Sequence, residues 1–484
     1  MSSATPLRVA IVGAGPAGIY AGNILSRAVA EASDAENPVD LTIDLFESLP
    51  APYGLIRYGV APDHPRIKGI VNSLHEMLDG GSIRLIGNVT VGDVEAGADV
   101  SVDELRAHYH AVIFATGAIR DVALDIPGID LPGSFGAADV VNWYDGHPDV
   151  DREWPLEATE IAVLGNGNVA LDVARVLVKH AKDLLSTDIP ATVHAGLAAS
   201  PVTDVHVFGR RGPAHVKFTP IELRELGEIP DVDLIVYDDD FVAAEGDAHA
   251  EQLAASNNQV KVMTRTLNAW RTREHGQASR RLHLHFLHNP VEITGDGRVE
   301  GIRFERTAPV GDGTVRGTGE FVDYPVQAVY RAIGYFGSPI AGLPFDEKRG
   351  VIPNEGGRVV DAAGAAIPGV YATGWIKRGP VGLIGHTKGD ALETITHLLA
   401  DVDALPAIAE HGDILDLLDG RGIRHTSWQG WLALDEHERA LGAAFVDPEQ
   451  PDLVRERVKV IDREEQVVIQ RGACAALDAV LVAS

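Results

Sequence analysis

Val9-Ala-Ile-Val-Gly13-Ala-Gly15-Pro-Ala17-Gly18 is the stretch from which the fold is read. Its apolar run, Val9 to Val12, has the length of a short buried strand, and the glycines follow at G-x-G-x-x-G spacing before a helical stretch from Ile19. That order suits a dinucleotide cradle. Gly13 permits the tight turn, Gly15 lets the backbone approach a pyrophosphate, and Gly18 brings the helix close to the strand with its N-terminus facing the phosphates. Leu41-Thr-Ile-Asp-Leu-Phe46 reads as the next strand and ends in Glu47, a carboxylate placed to take ribose hydroxyls. The separation from Gly18 exceeds the usual roughly 20 residues. The polar stretch from Glu31 to Asp40 reads as an insertion that accounts for the difference.

The pattern restarts at Glu160. Ile161-Ala-Val-Leu is a second apolar run, followed by Gly165-Asn166-Gly167-Asn168-Val169-Ala170 with alanine in the third place. Val169, Val173, Val176 and Leu177 then repeat with a helical period. Two cradles in one chain imply two nucleotides. After the following strand, Val205 to Phe208, comes Gly209-Arg210-Arg211-Gly212-Pro213, with two guanidiniums where an NAD-binding fold carries an acid. Arginine pairs with a phosphate through charge-assisted bonds that a carboxylate would oppose, so the second nucleotide is expected to be NADP(H).

Between these landmarks the chain reads more coarsely. Pro50 to Pro65 is too rich in proline and glycine for a regular element and is expected as a long loop. A helix is expected over Arg66 to Asp79, short strands at Ile83–Ile86 and Val89–Val91, and a buried strand over Ala111 to Gly117. Ile221 to Gly227 reads as a short helix, Asp231 to Val260 as acidic and unpatterned, and strands return at Leu282–Phe286, Val299–Phe304 and Val326–Ile333. His283 and His285 share a strand face, but no acid or cysteine accompanies them or His288 at ligand spacing, and no metal is expected. Val370 to Gly374 is a further strand, and Asp390 to Asp401 a helix whose positive end, with backbone amides at Gly382, Leu383 and Ile384, could face a flavin. The tail through Trp428 and Trp431 carries no legible chemistry.

Composition narrows the function. Forty-one basic residues stand against 70 acidic ones, a formal charge of -29, which argues against nucleic acid as a partner. No apolar run reaches the roughly 18 residues of a membrane span. The N-terminus shows no export pattern, so a cytoplasmic product is expected. Cys474 is the single cysteine, which excludes an internal disulfide and a cysteine-held cluster.

Taken together, these motifs resemble the adrenodoxin-reductase type of ferredoxin-NADP+ reductase, particularly its actinobacterial members. The likeness rests on Val12 to Gly18, on Tyr53-Gly-Leu-Ile-Arg-Tyr-Gly-Val-Ala-Pro-Asp-His-Pro65, on Gly165 to Arg175, on Gly209 to Pro213 and on Gly374-Trp-Ile-Lys-Arg-Gly-Pro380. It implies an α/β fold of glutathione-reductase-like architecture with two Rossmann-like domains. Residues 1–116 and 331–484 would form the FAD domain, and residues 117–330 the inserted NADP(H) domain. FAD would be held, beyond the first glycines, by Ala17, Glu47, Leu55, Val89, Trp375 and the 382–384 backbone. NADP(H) would be held by Asn166 to Val169, Arg210 and Arg211, with Glu222 and Gly382 near the nicotinamide. His64 and Glu225 match positions that shape the active site beside the flavin.

The implied reaction takes electrons from NADPH through FAD to a ferredoxin-type iron-sulfur protein, which can in turn feed a cytochrome P450. A flavin monooxygenase or NADPH oxidase is the enzymatic alternative, and an NADP(H)-sensing flavoprotein the non-enzymatic one. The family docks its acidic partner on basic residues. Here Arg271, Arg273, Arg280, Arg281, Lys377 and Arg378 are the candidates for that patch.

Overall fold

A computed structural model describes residues 6–32, 40–276, 278–381, 384–448 and 450–472. Two parallel sheets organise it. The first runs in the order Asn354–Glu355, Arg358–Val360, Ala366–Ala372, Ala111–Phe114, Leu7–Val12, Leu41–Phe46, Arg84–Ile86, parallel from Ala366–Ala372 onward. The second is parallel throughout, in the order Ser134–Gly136, Ala328–Arg331, Glu160–Leu164, Asp204–Phe208, Arg280–His285, Val232–Val236. Arg120–Asp121 and Tyr335–Phe336, on the two chain segments running between the sheets, pair antiparallel.

Continuous apolar runs form these strands because both faces of each sheet are covered. In Leu7–Val12, Val9 and Ile11 enter one core cluster while Ala10 and Val12 enter another. The second sheet behaves likewise. Val205, Val207, Leu282 and Leu284 pack toward the helical side. Phe208 and Val329 face a three-stranded antiparallel sheet of His288–Thr294, Gly301–Pro309 and Val315–Tyr324, which contributes Ile293, Ile302 and Phe304.

Several expectations need correction. The first helix begins at Pro16 rather than Ile19, since proline lacks an N–H and suits a helix's opening turn. The loop 50–65 contains one helical turn, Leu55–Tyr58. Val89–Val91 is not a strand; only an isolated bridge, Val91 to Val100, forms there. The stretch 231–260 holds the strand Val232–Val236, the helices Asp238–Ala243 and Ala248–Ser256, and the start of Asn258–Trp270. Its acidic residues disguise these elements by sitting at turns and first helical turns, where carboxylates are favoured. Gly382, Leu383 and Cys474 lie outside the described residues, as does most of the expected insertion between Glu31 and Asp40. The helix expected over 390–401 spans Ile384–Ala400. Among the described residues, no helix is long and apolar enough to cross a membrane.

Candidate functional site

Both glycine turns sit at the carboxyl ends of central parallel strands, where open α/β sheets take their ligands. Gly13 (φ 110°) and Gly165 (φ 132°) adopt the backbone conformation that side chains avoid, and a β-carbon on either would strike a neighbouring backbone carbonyl. Gly18 is equally confined, because its β-carbon would meet the Gly13 carbonyl. The middle glycines differ. The β-carbon position of Gly15 meets nothing nearer than the Gly54 Cα at 4.0 Å, and that of Gly167 meets nothing within 4 Å. Each glycine turn is therefore closed at its first glycine, where the chain packs, and open at its middle one. Asn168 Oδ1, at the start of the second helix, is buried without a hydrogen-bond partner, an orphaned polar atom of the kind a nucleotide can satisfy.

Of the residues expected around the first cradle, Ala17, Glu47, Leu55, Val89 and Trp375 come together. The Ala14 amide donates to Glu47 Oε2 at 2.8 Å and the Leu49 amide to Oε1 at 3.1 Å. Burial raises the Glu47 pKa against the opposing pull of those amides. The Val89 amide donates to the Glu47 carbonyl at 2.9 Å, and the Tyr53 amide to the Ala14 carbonyl at 2.8 Å, which seats the loop carrying half-buried Leu55 beside the turn. Trp375 opens the one-turn helix Trp375–Arg378, and the Gly374 before it approaches Ala17 so closely that a β-carbon would lie 2.6 Å from that of Ala17. The Gly374 amide donates to Asp390 Oδ2 at 2.5 Å, a carboxylate that sequence reasoning passed over. Ile384 is the first residue of its helix.

Around the second cradle, the loop after Asp204–Phe208 is anchored by its backbone. Thr307 Oγ1 donates to the Arg210 carbonyl at 2.8 Å, and the His288 amide to the Gly209 carbonyl at 3.0 Å. The side chain of Asn166 packs over Gly209, linking the glycine turn to the arginine loop. Arg210 is exposed and Arg211 half-buried, and among the described residues neither guanidinium forms an ion pair. Glu222 is buried in the helix Pro220–Gly227, where its carboxylate accepts from the Thr219 amide at 2.7 Å as half of a capping box.

His64 and Glu225 meet where the two halves face each other. His64 Nε2 lies 3.0 Å from Asp172 Oδ1, and Nδ1 lies 3.3 Å from Glu225 Oε2. Asp172 also accepts from Arg175 at 2.9 Å; Arg175 in turn forks onto Asp63 at 2.7 and 2.8 Å, and Lys179 reaches Asp63 at 2.6 Å. Burial pulls the His64 pKa down, but Asp172 outweighs it and the net shift is upward. Burial would raise Asp63, yet Arg175 and Lys179 hold it well below the usual carboxylate range. Asp63, Asp172 and Arg175 were missed as site residues. The available signal was Asn168, Asp172, Arg175 and Lys179 at helical spacing, a polar stripe on an otherwise apolar helix.

Because the folded pKa of His64 is raised, its contribution to stability is complete below the unfolded value of about 6.5 and fades as pH rises through the folded value. The difference in unfolding free energy between the wild type and His64→Gln should therefore shrink from pH 6 toward pH 9. A difference that grows over that range would contradict the assignment.

Each of the six cations named as candidates for a docking patch makes a contact within the chain, although Arg273 and Arg281 remain exposed. Arg271 pairs with Asp238, Arg281 with Asp204, and buried Lys377 with Asp390 and Glu393. Arg273 donates to the Gly227 carbonyl, buried Arg280 to the Val178 and Lys179 carbonyls, and Arg378 to the Val381 carbonyl.

Comparison with known proteins agrees with this geometry. Residues 7–381 match the sequence model of the pyridine nucleotide-disulphide oxidoreductase family. The chain is 39% identical over 451 residues to the NADPH-ferredoxin reductase FprA of Mycobacterium tuberculosis, covering 90% of this chain and 95% of that protein. It is 36% identical over 459 residues to the mitochondrial NADPH:adrenodoxin oxidoreductase of Arabidopsis thaliana, covering 91% and 92%. The solved structure of Mycobacterium tuberculosis FprA in complex with NADPH superposes with a TM-score of 0.87 at 37% identity, covering 97% of this chain and all of that one. On the strength of these matches and the doubled cradle, the chain belongs to the pyridine nucleotide-disulphide oxidoreductase family and, within it, to the adrenodoxin-reductase type of ferredoxin-NADP+ reductase.

Proposed function

We propose that the chain carries FAD on residues 1–116 and 331–484 and NADP(H) on residues 117–330, and that it passes electrons from NADPH to a ferredoxin-type iron-sulfur protein in the cytoplasm. The observation that carries this reading is the pair of glycine turns with free space at Gly15 and Gly167, the second followed by two guanidiniums that form no ion pair among the described residues. The relatives named as NADPH-ferredoxin reductase and NADPH:adrenodoxin oxidoreductase support it. Bound FAD supplies the redox step, accepting a hydride and releasing electrons singly to a one-electron acceptor.

The protein's part is to bind and orient. Gly13, Gly15, Ala17, Gly18, Glu47, Leu55, Val89 and Trp375 hold the first nucleotide, together with the backbone from Gly382 to Ile384. Asn166, Gly167, Asn168 and Val169 hold the second nucleotide's pyrophosphate, and Arg210 and Arg211 its 2'-phosphate. His64, held between Asp172 and Glu225 at 3.0 and 3.3 Å, sets the spacing of the two halves. Glu222 caps the helix that presents Glu225 and lies on the nicotinamide side.

Rapid mixing with NADPH should bleach the visible flavin band of the purified protein. A preparation that is colourless and cannot be reconstituted with FAD would defeat the proposal. Iron-sulfur proteins of the same source, assayed by NADPH-dependent reduction of cytochrome c, identify the acceptor. One that also drives a cytochrome P450 places the enzyme in that route.

A further inference from the structure

The strand Arg280–His285 alternates leucine and histidine, so Leu282 and Leu284 face the helical core while His283 and His285 face the three-stranded sheet. His206, on the adjacent parallel strand, is the register partner of His283 and presents its ring on the same face. All three imidazoles are buried, at 8, 6 and 2% exposure. One nitrogen from each lies within 4.8 Å of the others. We propose that His206, His283 and His285 form a binding site for one divalent transition-metal ion of the zinc class.

The facing nitrogens of His206 and His285, with His283 beside them, carry the argument. His206 Nδ1 and His285 Nε2 face each other at 3.0 Å. Two nitrogens at the roughly 2.0–2.1 Å bonds of tetrahedral zinc stand only slightly farther apart. On the far side of every ring is an oxygen. His206 Nε2 faces Glu160 Oε2 at 3.9 Å, His283 Nε2 faces Asp204 Oδ1 at 2.9 Å, and His285 Nδ1 faces the Tyr324 hydroxyl at 3.5 Å. Asp204 is bonded to His283 and the Tyr324 hydroxyl lies at the limit of a bond to His285, oxygens of the kind that fix the tautomer and direction of ligating histidines, while Glu160 is a charged neighbour of His206. His283 stacks on His206 with centroids 4.1 Å apart, and its Nδ1 lies 2.8 Å from the Tyr237 hydroxyl. Ligation turns His283 out of that stack and exchanges the Tyr237 bond for one to the ion.

Protons balance without a co-reactant. The hydrogen shared between His206 and His285 moves to the distal nitrogen of its own ring, so all three imidazoles bind in the neutral form. Burial already favours that form, lowering His206 to about 3 and displacing His283 and His285 downward as well. A neighbouring group, Asp240 with His285 and His288, is also compact, but Arg306 occupies the cation's place there. Its Nη1 lies 2.7 Å from Asp240 Oδ1 and 2.8 Å from His288 Nδ1. The ion therefore belongs on the His206 side.

The test uses the tag-free, flavin-loaded protein after chelator treatment and chelator removal. Calorimetric titration with Zn2+ should give one site per chain with a submicromolar Kd and a raised thermal midpoint. Co2+ should give a tetrahedral absorption band at longer wavelength than the flavin. His206→Val and His285→Gln, made separately, should each weaken Zn2+ binding about a hundredfold, whereas His288→Gln should leave it unchanged. Loss of binding in His288→Gln but not in His206→Val would overturn the assignment, as would equal affinity in the wild type and both ligand variants. Should a variant fail to fold, the wild-type titration decides alone, and no stoichiometric site below millimolar Zn2+ overturns the proposal.

Discussion

Replacing Arg210 and Arg211 together with alanine should raise the KM for NADPH at least a hundredfold while changing the KM for NADH by no more than a few-fold. Each hydrogen bond from a guanidinium to a phosphate is a charged one, and such bonds contribute about 1.5–3 kcal/mol apiece. Two of them lost give about 3 kcal/mol or more, which is over two orders of magnitude in affinity. The starting condition favours a clean result. Among the described residues neither guanidinium has an internal carboxylate to release, and the loop beneath them is held through the Arg210 and Gly209 carbonyls rather than through their side chains. Truncation therefore removes charge without loosening the loop. Steady-state kinetics with both nucleotides check this, and equal losses for the two would show that the arginines do not read the 2'-phosphate.

Glu438→Ala should destabilise the protein by about 3–5 kcal/mol, the usual cost of leaving a buried charge without its partner. Glu438 is fully buried in the helix Trp428–Ala444, and Arg57, from the loop before His64, forks onto it at 2.5 and 2.9 Å. The Val460 amide adds a third contact at 3.0 Å, and Lys459 donates to the Arg57 carbonyl at 2.9 Å. Burial alone would lower the Arg57 pKa, but Glu438 reverses this and keeps the guanidinium charged. Alanine at 438 thus strands a cation against Trp431 and Tyr58. The double replacement Arg57→Met with Glu438→Met should recover most of the loss, because apolar side chains of similar volume often substitute for a buried pair at little cost. Urea unfolding of the wild type, Glu438→Ala and the double variant measures it. A single variant as stable as the wild type would mean that water reaches Arg57.

The tail, whose sequence carries no legible chemistry, is therefore what secures the loop beside the first cradle. Nothing in the sequence links Arg57 to Glu438, which stand 381 positions apart. The same holds for the histidines. Along the chain His283 and His285 had no acid or further ligand at a useful spacing, yet parallel pairing set His206 beside His283 and brought Asp204 within 2.9 Å of it. Helix and strand periods report which face a residue occupies. They do not report which other segment lies across from that face.

By itself the sequence determined the fold class and marked both glycine turns and the paired arginines from which a phosphorylated nucleotide was expected, because these are signalled by spacing along the chain. Gly13 and Gly165 take the positive φ that glycine allows, and Arg210 follows its strand directly, so local backbone conformation and spacing make these features legible. Tertiary structure alone decided how His64 is gripped by Asp172 and Glu225, which cations remain free to meet a phosphate, and where a metal could sit. Charged and titratable groups take whichever partner the packed chain puts nearest, and that distance exists only once the two sheets have come together.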